Sequence, residues 1–176
     1  DTPGTAGLLG RAITALPAVE TALIVVDAHA GISPVTRRLE ARARESGTPR
    51  MFVINKSDSD DDLGQLLADL QEAFGKECLP MNLPCDGGKG VVGCFRIAEG
   101  DSDLGSVADF HEQIVDQVVE VDEELMAKYL EQGEIDPAEL IEPFSKAMKE
   151  GHLAPVFFCS ATEGIGIKEL LHNIAE

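Results

Sequence analysis

Met51-Phe-Val-Ile-Asn-Lys-Ser-Asp58 is a short apolar run that ends abruptly in Asn55, Lys56 and Asp58. A run of this length, rich in branched and aromatic residues, reads as a strand buried on both faces. In open α/β sheets, ligands sit just beyond the carboxyl ends of such strands. The three polar groups therefore face a ligand. The Asn55 amide can both donate and accept. The Asp58 carboxylate accepts two hydrogen bonds side by side, strengthened by its charge. The Lys56 stem is apolar and long enough to lie over a flat ring. Together they suit a base with two adjacent N–H donors and a nearby acceptor, which describes guanine. Adenine lacks the donor pair and would leave the carboxylate unpaired, a loss of roughly 10⁴-fold in binding.

Two more buried strands flank this one in sequence, over 21–27 and 154–159. Helices are expected over 6–16, with Pro17 as a stop, and from Pro34 to about Ser46, with Gly47 after it. Asp60, Asp61 and Asp62 suit the start of a helix running to about Phe74, where the dipole favours anions. Between 77 and 153 the pattern changes. Strands are expected over 79–83 and 91–97, with a Gly-rich turn at 84–90. One long helix is expected over 109–132. A second follows a cap at Asp136-Pro137 and runs to about Glu150. A short loop is expected over 162–166, and a last helix over 167–175.

Composition sets bounds on function. The chain has 176 residues, enough for a real core. Its 32 acidic and 14 basic residues give a formal net charge of -18. A surface this acidic repels nucleic-acid backbones and anionic membranes. Cys78, Cys85, Cys94 and Cys159 lack paired spacing and read as free thiols in a reducing compartment. His29, His111, His152 and His172 show no metal spacing. Gly88-Lys-Gly-Val-Val-Gly93 has the spacing of a dinucleotide fingerprint, but it opens into a strand, not a helix, and fails that test. No stretch spans a membrane and no signal-peptide pattern is present, so a cytoplasmic location is expected.

Asn55-Lys56-Ser57-Asp58 resembles the guanine-specificity motif of GTPases. Asp1-Thr2-Pro3-Gly4 resembles the Asp-x-x-Gly motif that opens the second switch, and Cys159-Ser160-Ala161 the Ser-Ala motif that closes over the base. All three stand in the expected order. The Thr-Pro wording and the long interval between Asp58 and Ser160 resemble translational GTPases, most closely elongation factor G and its relatives.

The resemblance implies an α/β fold: a three-layer P-loop-GTPase-like parallel sheet, of which this chain carries the later part, with an inserted α+β subdomain. The implied division is 1–76 for the second switch to the guanine motif, 77–153 for the insert, and 154–176 for the end of the GTPase domain. It implies GTP or GDP at Asn55, Lys56, Asp58, Ser160, Ala161 and Gly4, with the Ala161 amide donating to the guanine O6. It implies Mg²⁺ reached from Asp1 through water. Thr5 stands where translation factors usually carry the histidine that positions the attacking water; as a plain structural residue it would cap the next helix. The sequence contains no G-x-x-x-x-G-K-[ST], so this stretch reads as part of a larger GTPase, not active alone. The implied partners are the ribosome and, through the insert, the stalk protein of its large subunit. The implied task is translocation; release-factor recycling, ribosome protection and a non-hydrolysing docking module are the other readings. An open apolar sheet edge at 21–27 predicts self-association.

Overall fold

The computed structural model describes residues 1–2, 4–133 and 135–175. Four parallel strands form the central sheet in the order β1-β2-β6-β3: β1 (Ala22–Asp27), β2 (Arg50–Asn55), β3 (Cys78–Pro80) and β6 (Ala154–Cys159). β4 (Asn82–Cys85) and β5 (Gly90–Gly93) make a separate antiparallel hairpin.

Alternation along the strands builds two cores. Phe52, Ile54, Val156 and Phe158 point to one face, against Leu63, Leu66, Leu67, Leu70 and Phe74 of α3 (Leu63–Phe74). Met51, Val53, Phe157 and Cys159 point to the other. There they meet Ile114 and Val118 of α4 (Val107–Val119), Leu125 of α5 (Glu123–Gln132), Ala147 of α6 (Ile141–Glu150) and Leu170 of α7 (Ile167–Ala175). Phe52, Phe157 and Phe158 are fully buried, and each such side chain stabilises the fold by about 1.5–3 kcal/mol. Right-handed crossovers explain the layering. The chain moves one way through α2 (Pro34–Glu45) and α3, then back through α4–α6, so the second set covers the opposite face.

A buried ionic cluster closes the amino end of β2. Arg50 and Glu40 are both about 95% buried and form an ion pair. Glu40 also accepts from Arg44 at 3.0 Å, and Glu77 lies 3.0 Å from Arg44 and 3.5 Å from Arg50. The pair fixes the end of α2 to the base of the central strand.

Several expectations are corrected. The strand expected over 79–83 is two strands in two sheets, and Met81 is the junction. Its N–H donates to Val156 O at 2.8 Å, completing the β3–β6 ladder, while its carbonyl accepts from Cys94 N at 2.9 Å beside the hairpin. The segment expected to leave the sheet at 77 thus stays in it through Pro80. The strand expected over 91–97 is only Gly90–Gly93. Beyond it, Phe95 leaves to pack on Phe144, ring centroids 4.8 Å apart. The helix expected over 109–132 breaks into α4 and α5, because Asp122 turns extended and caps the amides of Glu124 and Leu125, both at 3.0 Å. Pro137–Leu140 is a 3₁₀ turn leading into α6, so the segment has three helices where two were expected. Residues 6–18 alternate 3₁₀ turns with a short helix, α1 (Leu9–Ala15). Thr5 precedes them, but its side chain makes no cap hydrogen bond.

β1 lies at a sheet edge, and its Leu23 and Val25 are 42% and 56% exposed. No helix among the described residues is long and apolar enough to cross a membrane.

Candidate functional site

The helix after β2 packs on one face of the sheet and the helix after β6 on the other. Between these neighbours the connections diverge at the carboxyl ends, the usual ligand position in open α/β sheets. The parallel register sets Asn55 beside Cys159, so the Asn-Lys-x-Asp turn and the Ser-Ala loop flank one opening.

The two loops are joined. Ser57 N–H donates to Cys159 O at 3.0 Å. Ala161 N–H donates to Asn55 Oδ1 at 3.0 Å, and the Cys159 thiol reaches the same oxygen at 3.6 Å. An N–H partner fixes which end of the Asn55 amide is oxygen. The Nδ2 end therefore remains as the donor for a ligand acceptor. The Ala161 amide is thus held by the Asn55 side chain.

Lys56 and Asp58 are exposed at the end of β2. Lys56 takes a left-handed backbone, φ 66°, uncommon outside glycine. Its Nζ forms an ion pair with the Asp27 carboxylate at the end of β1. That partner, aided by the His29 and Ala30 amides and opposed by burial, holds the Asp27 carboxyl below its ordinary range. Asp58 accepts no hydrogen bond from any described residue, so its two oxygens face solvent as an unused acceptor pair. Ser160 is buried and bridged to Ile165, which shapes the loop that presents Ala161.

The hairpin presses on this site from the side. A Cβ on Gly88 would lie 2.3 Å from Ser57 O, and φ there is +78°. The Gly87 and Gly88 amides donate to the Asp103 carboxylate at 3.2 and 3.0 Å. Buried Asn82 clamps Phe158 through both backbone groups, accepting from its N–H at 2.8 Å and donating to its carbonyl at 3.0 Å. Sequence reasoning missed Asn82, Gly88 and Asp27. The register of β1 on β2, which pairs Asp27 with Asn55, is the signal that would have found the last.

A cleft of about 310 Å³ opens on the hairpin side of the motif, between the turn from Ser57 to Gly64 and Pro84, Gly87, Gly88, Asp103 and Leu104. Ser57 lines it, but Asn55, Lys56, Asp58, Ser160 and Ala161 do not. Asp1, Gly4 and Thr5 are exposed, and no hydrogen bond among the described residues links them to the base-facing groups. Pro3 of the first motif lies outside the described residues. No group of three or more His, Cys, Asp or Glu that could hold a metal occurs among the described residues.

The parallel sheet, packed by helices on both faces, defines an open α/β domain. All 176 residues match the elongation factor Tu GTP binding domain, and the chain belongs to that family, the translational GTPases. It is 32% identical over 97% of its length to an elongation factor G-like protein of Mycobacterium tuberculosis. It is 30% identical over its whole length to one of Thermotoga maritima. A crystal structure of a Thermus thermophilus protein superimposes with a TM-score of 0.84 at 34% identity, over 99% of this chain and 29% of that one. The chain spans 26% and 28% of the two elongation factor G-like relatives.

Proposed function

We propose that this domain recognises a guanine nucleotide, GTP or GDP, at the carboxyl ends of β2 and β6, and serves a GTP-driven step on the ribosome as part of the complete protein. The observation that carries the reading is the bond from Ala161 N–H to Asn55 Oδ1. It orients Asn55 with its donor outward, beside the unused Asp58 acceptor pair, and so offers guanine the complement of its edge. The Lys56 stem would lie over the ring, and Ser160-Ala161 would close the far side.

Translocation is the step this reading takes, from the resemblance of the sequence motifs to elongation factor G. In this reading the segment 77–153 carries the docking surface for the stalk protein. Mg²⁺ would be held at the phosphates, with Asp1 acting through water, as the resemblance implies. The free edge of β1 is where a second copy would add, and sedimentation at rising concentration checks that. The site of work is the cytoplasm.

Asp58→Asn tests the base reading. An amide cannot accept from both guanine donors, but it can donate to the carbonyl that replaces the exocyclic amine in xanthine. GDP binding should fall about 10- to 100-fold while xanthosine diphosphate binding rises. Equal loss of both would contradict the assignment of Asp58.

A further inference from the structure

Asp27 stands outside every motif that the sequence offers, at the carboxyl end of β1 and in register with Asn55. Both of its oxygens are engaged. Oδ1 accepts from the amides of His29 at 3.0 Å and Ala30 at 3.2 Å, which fixes the carboxylate on its own loop. Oδ2 forms the ion pair with Lys56 Nζ. The carboxylate is thus anchored at one side and grips a flexible side chain with the other. Lys56 is set in a left-handed backbone at one end and tied at Nζ at the other. Its side chain therefore runs from the end of β2 to Asp27 at the end of the neighbouring strand β1.

We propose that Asp27 is a positioning residue of the guanine site: it holds Lys56 by its ammonium so that the stem is already extended where the face of the base will rest. The inference rests on the guanine reading above. Asp27 itself does not contact the base, since its oxygens are spent on the loop and on Lys56. Its contribution is to order the Lys56 chain before the ligand arrives. An untethered lysine would have to be immobilised on binding, and ordering one such chain accounts for about a 3- to 10-fold change in affinity. The effect belongs to the base and not to the phosphates.

The test is a double-mutant cycle read with guanosine and with GDP, on the wild-type protein, Asp27→Asn, Lys56→Met and the double variant. Lys56→Met keeps the apolar stem and removes only the tether. Each single variant should bind both ligands about 3- to 10-fold more weakly. The double variant should be no weaker than the worse single one, because both break the same link. Additive losses, or an Asp27→Asn variant with unchanged affinity, would overturn the proposal. A loss confined to GDP would overturn it too, since the base would not be involved. NMR of the Lys56 ε-methylene supplies a readout independent of ligand. Its two protons should be inequivalent in the wild type and merge in Asp27→Asn; protons already equivalent in the wild type would refute the tether. Failure of the wild type to bind either ligand would strike the guanine reading itself, and the methylene signals would still decide whether Asp27 orders Lys56.

Discussion

The backbone amide of Ala161 donates to Asn55 Oδ1 across 3.0 Å, joining two loops 106 positions apart in the chain. Asn55 therefore serves the fold with its oxygen and is left to serve a ligand with its nitrogen. Replacing it by alanine frees an exposed amide that water can satisfy, so the stability cost should be small, about 1 kcal/mol. Guanine binding should suffer far more, about tenfold or beyond, because the donor is lost and the Ser-Ala loop is released. Urea unfolding beside nucleotide titration separates the two effects.

Gly87 and Gly88 make a controlled pair. Both have positive φ, +67° and +78°, so alanine is strained at either. A Cβ on Gly87 meets nothing within 4 Å, whereas one on Gly88 strikes Ser57 O at 2.3 Å. Gly87→Ala should cost about 1 kcal/mol and leave base binding unchanged. Gly88→Ala should cost about 2–3 kcal/mol and weaken guanine binding by displacing the Asn55–Asp58 turn. Equal behaviour of the two variants in melts and titrations would show that the hairpin does not support the motif.

Glu40→Ala removes the main partner of a cation that is about 95% buried. Arg50 keeps only Glu77 at 3.5 Å. Breaking a buried pair on one side costs about 3–5 kcal/mol. Replacing both Glu40 and Arg50 with apolar residues of similar volume should cost less than the single change. Chemical denaturation of the three variants checks this order.

Burial pushes the Cys78 and Cys94 thiols up from 9.0 to about 12. Folding thus suppresses their ionisation. The contribution is fully present below pH 9 and is lost as the pH rises towards 12, while unfolded thiols ionise. Stability should fall across that window, and less steeply in Cys78→Ala, as measured by urea midpoints. Thiol labelling at neutral pH should modify Cys85, the one half-exposed cysteine, well before the three buried ones.

The central strands and the meeting of the Asn-Lys-x-Asp turn with the Ser-Ala loop were legible because their signals are local. β2 and β6 are unbroken apolar runs, and parallel pairing of such runs brings Asn55 to Cys159 and so to the Ser-Ala loop. The break at Asp122 was hidden because apolar spacing continues from Val118 through Leu125; only the cap interrupts it. The β3–β4 division was hidden because Leu79, Met81 and Leu83 are all buried although the sheet changes at Met81. The Asp27–Lys56 pair and the contact of Gly88 with Ser57 depend on how distant segments meet, which no local pattern encodes.

Calorimetric titration of the complete protein with GDP and then with ADP tests the central claim most directly. Binding of GDP with none of ADP is the predicted result, since only guanine presents two donors to Asp58 and an acceptor to Asn55. Equal binding of both nucleotides, or silence with both, would contradict a guanine site at the ends of β2 and β6.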